Sequence, residues 1–402
     1  MFCVGARGGS AEDKLQTKHD QKPRGSAMAR ILVVGGGFGG IVAAESLSKK
    51  LGNGHEITLV SRSNKFVFYP ALVRLAFGRA TPEDIEFDVR EAMADRRITF
   101  IQGEIARIHP ADKQVTIAHG DLVGDMSYDY LVLALGRRLK TERISGFFEH
   151  AHHLLDVESA ESFGLAVNDF KGGHVLIGHC PDARLPVPVF ETAFALARRL
   201  EEEERRDQCT ITIVSNEKLD EMFGSVAISE SLTNAMETHG IEFVHDFAIS
   251  RVTPNALFAT NGRSMSYDLN MIVPPFGGPG ALMGTPVTDR EGYVMVDKTM
   301  RAIADEYIYA VGDCANFPGP KMGHMAIGQA GVASDNLGAR VLGKPCSVTY
   351  NHEMMLVIDE GGKESVYVEK DLGAEEPADI YQSRFWGWAK RKQEQYWKAR
   401  YA

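Results

Sequence analysis

Arg30-Ile31-Leu32-Val33-Val34-Gly35-Gly36-Gly37-Phe38-Gly39-Gly40 is an apolar strand that runs straight into a glycine turn. A helix of small and apolar residues follows, with Ile41, Val42, Ala43, Ala44 and Leu47. Gly35, Gly37 and Gly40 occupy the G-x-G-x-x-G positions of a dinucleotide cradle, with Phe38 and Gly39 between them. The first glycine permits the tight turn, the second lets backbone approach a pyrophosphate, and the third lets helix and strand pack closely. The helix N-terminus then offers free N–H groups and a partial positive charge to phosphates. A glycine pattern alone is a weak signal; the flanking strand and helix make this one specific.

The chain downstream contains two similar halves. Glu56–Val60 reads as the second parallel strand, and Ser61 and Arg62 stand where the fingerprint usually has an acid that grips the ribose. Short strands at 98–101, 107–108 and 114–117 read as a β-meander. Tyr130–Leu135 reads as a fully buried strand, and Gly136 allows close backbone approach at its end. The order recurs with a strand at 174–178, a helix at 190–200, a strand at 210–215, meander segments at 241–244 and 256–259, and Ser266-Tyr267-Asp268-Leu269 echoing Ser127-Tyr128-Asp129-Tyr130. The expected fold class is α/β, with two tandem Rossmann-like domains, each βαβ plus β-meander, and a C-terminal amphipathic helical segment. The expected division is an extension over 1–27, a dinucleotide-binding domain over 28–140 and 279–345, a second Rossmann-like domain over 141–278, and a C-terminal membrane or interface segment over 346–402.

The second half has lost its glycines. After Gly178 it reads His179-Cys180-Pro181-Asp182-Ala183-Arg184-Leu185-Pro186-Val187-Pro188. Prolines fix φ and remove N–H donors, and side chains fill the space where a pyrophosphate would meet backbone. A second dinucleotide, such as a nicotinamide cofactor, is therefore not expected there.

Composition narrows the class. The chain has 402 residues, enough for two domains, and a net charge of −10 that argues against a nucleic-acid partner. Five scattered cysteines form no C-x-x-C pair and no metal-ligand spacing. No apolar run reaches the roughly 18 residues of a membrane-spanning helix. Residues 1–27 carry no apolar core of the secretory kind, so the folded unit is expected to begin near Met28.

From Met28 onward these motifs resemble the flavoproteins with two dinucleotide folds, the pyridine nucleotide-disulfide oxidoreductase superfamily. Tyr307-Ile308-Tyr309-Ala310-Val311-Gly312-Asp313-Cys314-Ala315 is similar to their second flavin motif. The resemblance implies FAD as cofactor, with Asp313 accepting hydrogen bonds from the ribityl chain. Several stretches look most like the sulfide:quinone oxidoreductases: Phe66–Ala71 with Pro70, the segment from Phe77 to Ile85, Ile272-Val273-Pro274-Pro275, and Pro320-Lys321-Met322-Gly323. Lys321 precedes a helix expected over about 323–337. A helix N-terminus plus an ammonium group favours the negative charge of a reduced flavin. The family's two redox cysteines map onto Leu185 and Met355, neither of which is a thiol, so relay of sulfur through a persulfide lacks its usual residues. Cys180 is a candidate substitute or an ordinary buried thiol. Glu191 is a candidate proton relay or a helix cap, and His324 reads as a packing residue. The implied partners are a quinone and a small-molecule electron donor. A type II NADH:quinone oxidoreductase and a flavoprotein subunit docked on a partner complex are the alternatives, and homo-oligomerisation stays open.

All three tryptophans fall in the tail, at 386, 388 and 397, among Arg384, Lys390, Arg391, Lys392, Lys398 and Arg400. Helical spacing puts Phe385, Trp386, Ala389, Tyr396 and Trp397 on one face and leaves Trp388 off it, with the helix starting after Gly387. That pattern predicts a peripheral anchor on the cytoplasmic face of a membrane.

Overall fold

The computed structural model describes residues 28–362 and 364–402; the expected extension over 1–27 lies outside them. Two parallel sheets carry the two halves. The first runs in the order Ile308–Ala310, Tyr130–Leu133, Arg30–Val34, Glu56–Ser61 and Thr99–His109, and continues antiparallel into Gln114–Gly120 and Gly124–Ser127. Arg30–Val34 pairs in parallel with Glu56–Val60 on one side and with Tyr130–Leu133 on the other, and its side chains from Ile31 to Val34 are buried on both faces. The chain leaves this sheet after Leu133, forms the second half, and returns to add Ile308–Ala310 beside Tyr130–Leu133.

The meander differs from the expectation in one respect. Residues 99–109 form a single strand, not two. Its first part pairs in parallel with Glu56–Ser61, and its second part pairs antiparallel with Gln114–Gly120, with bulges around Ile105. Bulges bend a strand and raise its twist, which is how one strand serves both arrangements.

The second half repeats the plan with Ile241–Val244, Cys209–Ser215, Gly173–His179 and Leu269–Val273 as a parallel sheet. Here the equivalent of the bent strand is broken in two. Ile241–Val244 stays in the parallel sheet, and Ile249–Thr253 opens the antiparallel Ile249–Thr253, Ala256–Ala259, Ser264–Ser266 unit. The helix of this half spans Val187–Glu202, longer than expected, because Pro186 and Pro188 sit at its start, where a missing N–H removes no helical bond.

A third, antiparallel sheet of Glu353–Asp359, Ser365–Asp371 and Asp379–Gln382 leads into the C-terminal helix Arg384–Tyr401. Two tail expectations are corrected. The helix begins at Arg384, capped by the Ser383 hydroxyl on the Phe385 N–H, and Gly387 lies inside it. Gly387 is buried against the sheet, where a methyl group would come 2.6 Å from Ser365 Oγ. The buried stripe is Gly387, Glu394, Trp397 and Tyr401, whereas Phe385, Trp388 and Tyr396 are exposed. Trp397, 6 % exposed, packs its ring 4.8 Å from Phe38 and 5.3 Å from Phe66, so it belongs to the protein's own core. Trp386 stacks on Tyr367 at 3.9 Å. Among the described residues no helix is long and apolar enough to cross a membrane.

Candidate functional site

Ligands of open α/β sheets bind beyond the carboxyl ends of the parallel strands. In the first sheet those ends carry Gly35–Gly40, Ser61, Gly136 and Gly312–Asp313, gathered on one edge by the register. Gly35 has φ +112, and a methyl group there would strike the Ala134 carbonyl oxygen at 2.1 Å. At Gly40 it would lie 1.7 Å from the carbonyl oxygen of Gly35. Gly37, by contrast, faces open space, as does Gly136, with nothing within 4 Å of an added Cβ. Gly37 caps the helix Phe38–Leu51, so the N–H groups of Phe38, Gly39 and Gly40 point out of its first turn without intrahelical partners. Two glycines are thus required by the fold, and one keeps a face clear for a ligand. The cradle fits a pyrophosphate.

Ser61 is buried directly against the turn, since a methyl group on Gly36 would meet its Oγ at 2.6 Å. Arg62 is exposed and half-buried Pro70 lies in the short helical turn Tyr69–Ala71. Phe38 is more than a loop residue. It makes edge contacts with Phe66, Phe68 and Trp397, and a methyl group on Gly323 would come 3.1 Å from its ring. The glycine turn, the C-terminal helix and the start of the long helix Gly323–Val341 therefore meet at one phenylalanine.

Asp313 follows Gly312, whose φ of +75 suits glycine and whose N–H donates to Gln329 Oε1 at 2.7 Å. Arg137, which the sequence reading passed over, donates to Asp313 Oδ2 at 2.5 Å, and its guanidinium lies 4.2 Å from the Phe276 ring centre. Its only sequence signal is its place directly after Gly136.

Lys321 stands just before the long helix and is 6 % exposed. Its Nζ donates to the Ala315 carbonyl at 2.6 Å. Burial, with the Arg184 guanidinium nearby, brings its ammonium down to about 8. His324, in the first turn of that helix, accepts at Nε2 from the Met355 N–H at 3.0 Å, and burial lowers its pKa. It ties the helix to the third sheet, as a packing residue does.

The second half is built otherwise at the same strand ends. His179 is buried with both ring nitrogens unpartnered, and burial lowers it to about 3. Cys180 is fully buried in an apolar cluster with Ile144, Phe147 and Phe247, and desolvation pushes its thiol up. A neutral, enclosed thiol is a poor nucleophile, so the candidate role of Cys180 as a redox thiol is not supported. Leu185 is half-buried, and Met355 is 39 % exposed. Arg184 of this loop reaches the turn that precedes Lys321: its Nε and Nη2 donate to the Gly319 carbonyl at 2.8 and 2.6 Å.

Glu191 lies inside the protein. Its Oε1 accepts from Lys390 Nζ at 2.5 Å and from the Asp359 N–H at 2.9 Å. Burial holds its carboxyl above the usual carboxylate range despite the ammonium beside it. The pair lines a cavity of about 270 Å³ together with Arg74, Asp359, Arg391 and Glu394. The helix-cap alternative fails, because Glu191 reaches the C-terminal segment and not its own helix end.

Known proteins resemble this chain in fold and sequence. A sulfide:quinone oxidoreductase from Dictyostelium discoideum, described as mitochondrial, is 25 % identical over 85 % of this chain and 76 % of its own length. The type II NADH:quinone oxidoreductase of Staphylococcus haemolyticus is 24 % identical over 53 % of this chain and 56 % of its own. The crystal structure of the Aquifex aeolicus sulfide:quinone oxidoreductase superposes with a TM-score of 0.86 at 24 % identity, covering 92 % of this chain and 91 % of that one. The chain belongs to the pyridine nucleotide-disulphide oxidoreductase family, whose pattern matches residues 29–179 and 190–332 and skips the rebuilt loop between them.

Proposed function

We propose that this chain is an FAD-dependent oxidoreductase that reduces a membrane quinone, similar to the sulfide:quinone oxidoreductases but without their thiol relay. One observation carries the reading: the glycine turn of the first cradle leaves Gly37 facing open space, and the matching loop of the second half, His179–Pro188, has three prolines and no glycine. When bound, FAD supplies a carrier that accepts two electrons from a reductant and passes them to an acceptor.

The chain's own residues have separable roles. Gly35, Gly37 and Gly40 with the N–H groups of Phe38–Gly40 hold the pyrophosphate, and Ser61 and Arg62 serve the adenosine end. Pro70 and Gly136 would border the flavin, and Asp313, which Arg137 meets at 2.5 Å, would hold the ribityl hydroxyls. Lys321 and the N-terminus of the long helix would stabilise the negative charge of a reduced flavin. Quinone reduction takes up protons, and Glu191 with Lys390 holds one between Oε1 and Nζ, away from bulk water.

The donor follows from the resemblance alone: sulfide or a related sulfur compound, which without a thiol at Leu185 or Met355 and with Cys180 enclosed would give its two electrons to the flavin and bond its oxidised sulfur to a second sulfide, releasing a proton. Membrane contact passes from Trp397 to the exposed Tyr381, Phe385 and Trp388, flanked by Arg384 and Lys392. Anaerobic mixing of the dithionite-reduced yellow protein with a short-chain ubiquinone tests the reading. Saturable return of the flavin absorbance supports it, and a flavin that the quinone leaves reduced overturns it.

A further inference from the structure

The turn Phe317-Pro318-Gly319-Pro320-Lys321 cannot hold itself. Pro318 and Pro320 have no N–H to give, and Gly319 sits at φ +73. Its carbonyls are instead bound from outside. Arg184 donates to the Phe317 and Gly319 oxygens, and His352 Nε2 reaches the Pro318 oxygen at 2.9 Å. The contact is reciprocal, because the Lys321 N–H donates to the Arg184 carbonyl at 2.9 Å.

Arg184 is itself in an unfavourable backbone state. Its φ is +49, in the left-handed region that residues with a Cβ avoid, and Asp182 two positions earlier has φ +63. Such conformations persist only where the surroundings over-determine them. Here the surroundings are two of the turn's carbonyls, its Lys321 N–H, and the Phe276 N–H that donates to the Asp182 carbonyl at 3.1 Å. The planar guanidinium fork suits two neighbouring carbonyls in a way a lysine's point charge does not.

We propose that Arg184 is a positioning residue: the rebuilt loop of the second half has become a brace that fixes the Lys321 turn, and through Lys321 sets the reduction potential of the flavin. This rests on the flavin reading above. The His352 contact at Pro318 and the bond from Lys321 Nζ to the Ala315 carbonyl also support the turn, but Arg184 is the side chain that grips two of its carbonyls.

The test compares R184K, R184M, K321M and the R184M/K321M pair by spectroelectrochemistry of the bound flavin at pH 7. R184M is expected to lower the reduction equilibrium constant about tenfold, or about 30 mV for a two-electron couple. R184K is expected to fall in the same direction, because it keeps the charge and loses the fork. The double variant is expected to match K321M alone. Additive shifts, or a wild-type potential in R184K, overturn the proposal. Hydrogen exchange of residues 312–325 in the flavin-free protein reads the brace without the cofactor: exchange at least tenfold faster in R184M and R184K is expected, and unchanged exchange overturns it. A wild-type protein that binds no flavin counts against the proposed function and leaves this exchange measurement decisive.

Discussion

Gly37 and Gly40 stand three positions apart in one turn and answer to different demands. A methyl group at Gly40 collides with backbone at 1.7 Å, while one at Gly37 meets nothing in the protein. G40A is therefore expected to lose more than about 3 kcal/mol of stability or fail to fold, since even ordinary overpacking costs about 1–3 kcal/mol. G37A is expected to melt like the wild type as apoprotein and to bind FAD at least tenfold more weakly, by fluorescence titration. Lys321 has a separate signature. Its folded pKa is lowered from 10.5 to about 8, so the unfolded chain binds more protons between those values. Stability is expected to rise with pH across that window by up to about 3 kcal/mol, and K321M to lose the rise, by urea melts at pH 7.5 and 9.5. Cys180 is expected to resist thiol reagents in the native protein while exposed Cys346 reacts, and C180A to keep its rate of flavin reduction. The glycines, Asp313 and Lys321 were legible in the sequence because each sits in a motif with fixed spacing. Arg137 and Arg184 were not, because an arginine's reach decides its partner and no spacing reports it.

The C-terminal helix shows where reading by pattern breaks down. Its buried stripe, Gly387, Glu394, Trp397 and Tyr401, keeps helical spacing, but its first half is a glycine and a glutamate. An apolarity pattern skips both. Glu394 is buried because Arg74 meets it at 2.6 Å, and Gly387 because the sheet allows no side chain. The face that the pattern picked out mixes the buried Trp397 with the exposed Phe385 and Tyr396, and it leaves out Tyr401. W397A is expected to cost about 3–5 kcal/mol, as large aromatic truncations in cores do, whereas W388A should stay within about 0.5 kcal/mol. Liposome flotation is expected to weaken in F385A/W388A with the fold intact; unchanged flotation counts against the membrane surface assigned to those residues. The far end of the helix adds a pH dependence. Burial raises the Glu45 carboxyl, but hydrogen bonds from Lys49, Tyr401 and Arg400 outweigh it and bring the group to about 2. Its folded pKa is depressed, so its stabilisation is full above about 4.5 and is lost as pH falls toward 2. E45Q is expected to flatten that acid limb in a denaturation series.

At the scale of the whole molecule, duplication was plain in the sequence and the division of labour between the copies nearly so. Both halves kept the parallel sheet with its crossover helix, since those are written in buried apolar strands of fixed order. The fate of the bent strand, continuous at 99–109 and broken at 245–248, was not legible, because bulges leave no composition mark. The copies diverge at one loop. In the first it is empty backbone that admits a dinucleotide, and in the second it is an arginine that holds the partner half. This asymmetry predicts one flavin per chain and no nicotinamide. The most direct measurement is anaerobic stopped-flow mixing of the purified yellow protein with NADH, with sulfide run in parallel. The account predicts bleaching of the flavin by sulfide and none that saturates with NADH; fast, saturable bleaching by NADH would contradict it.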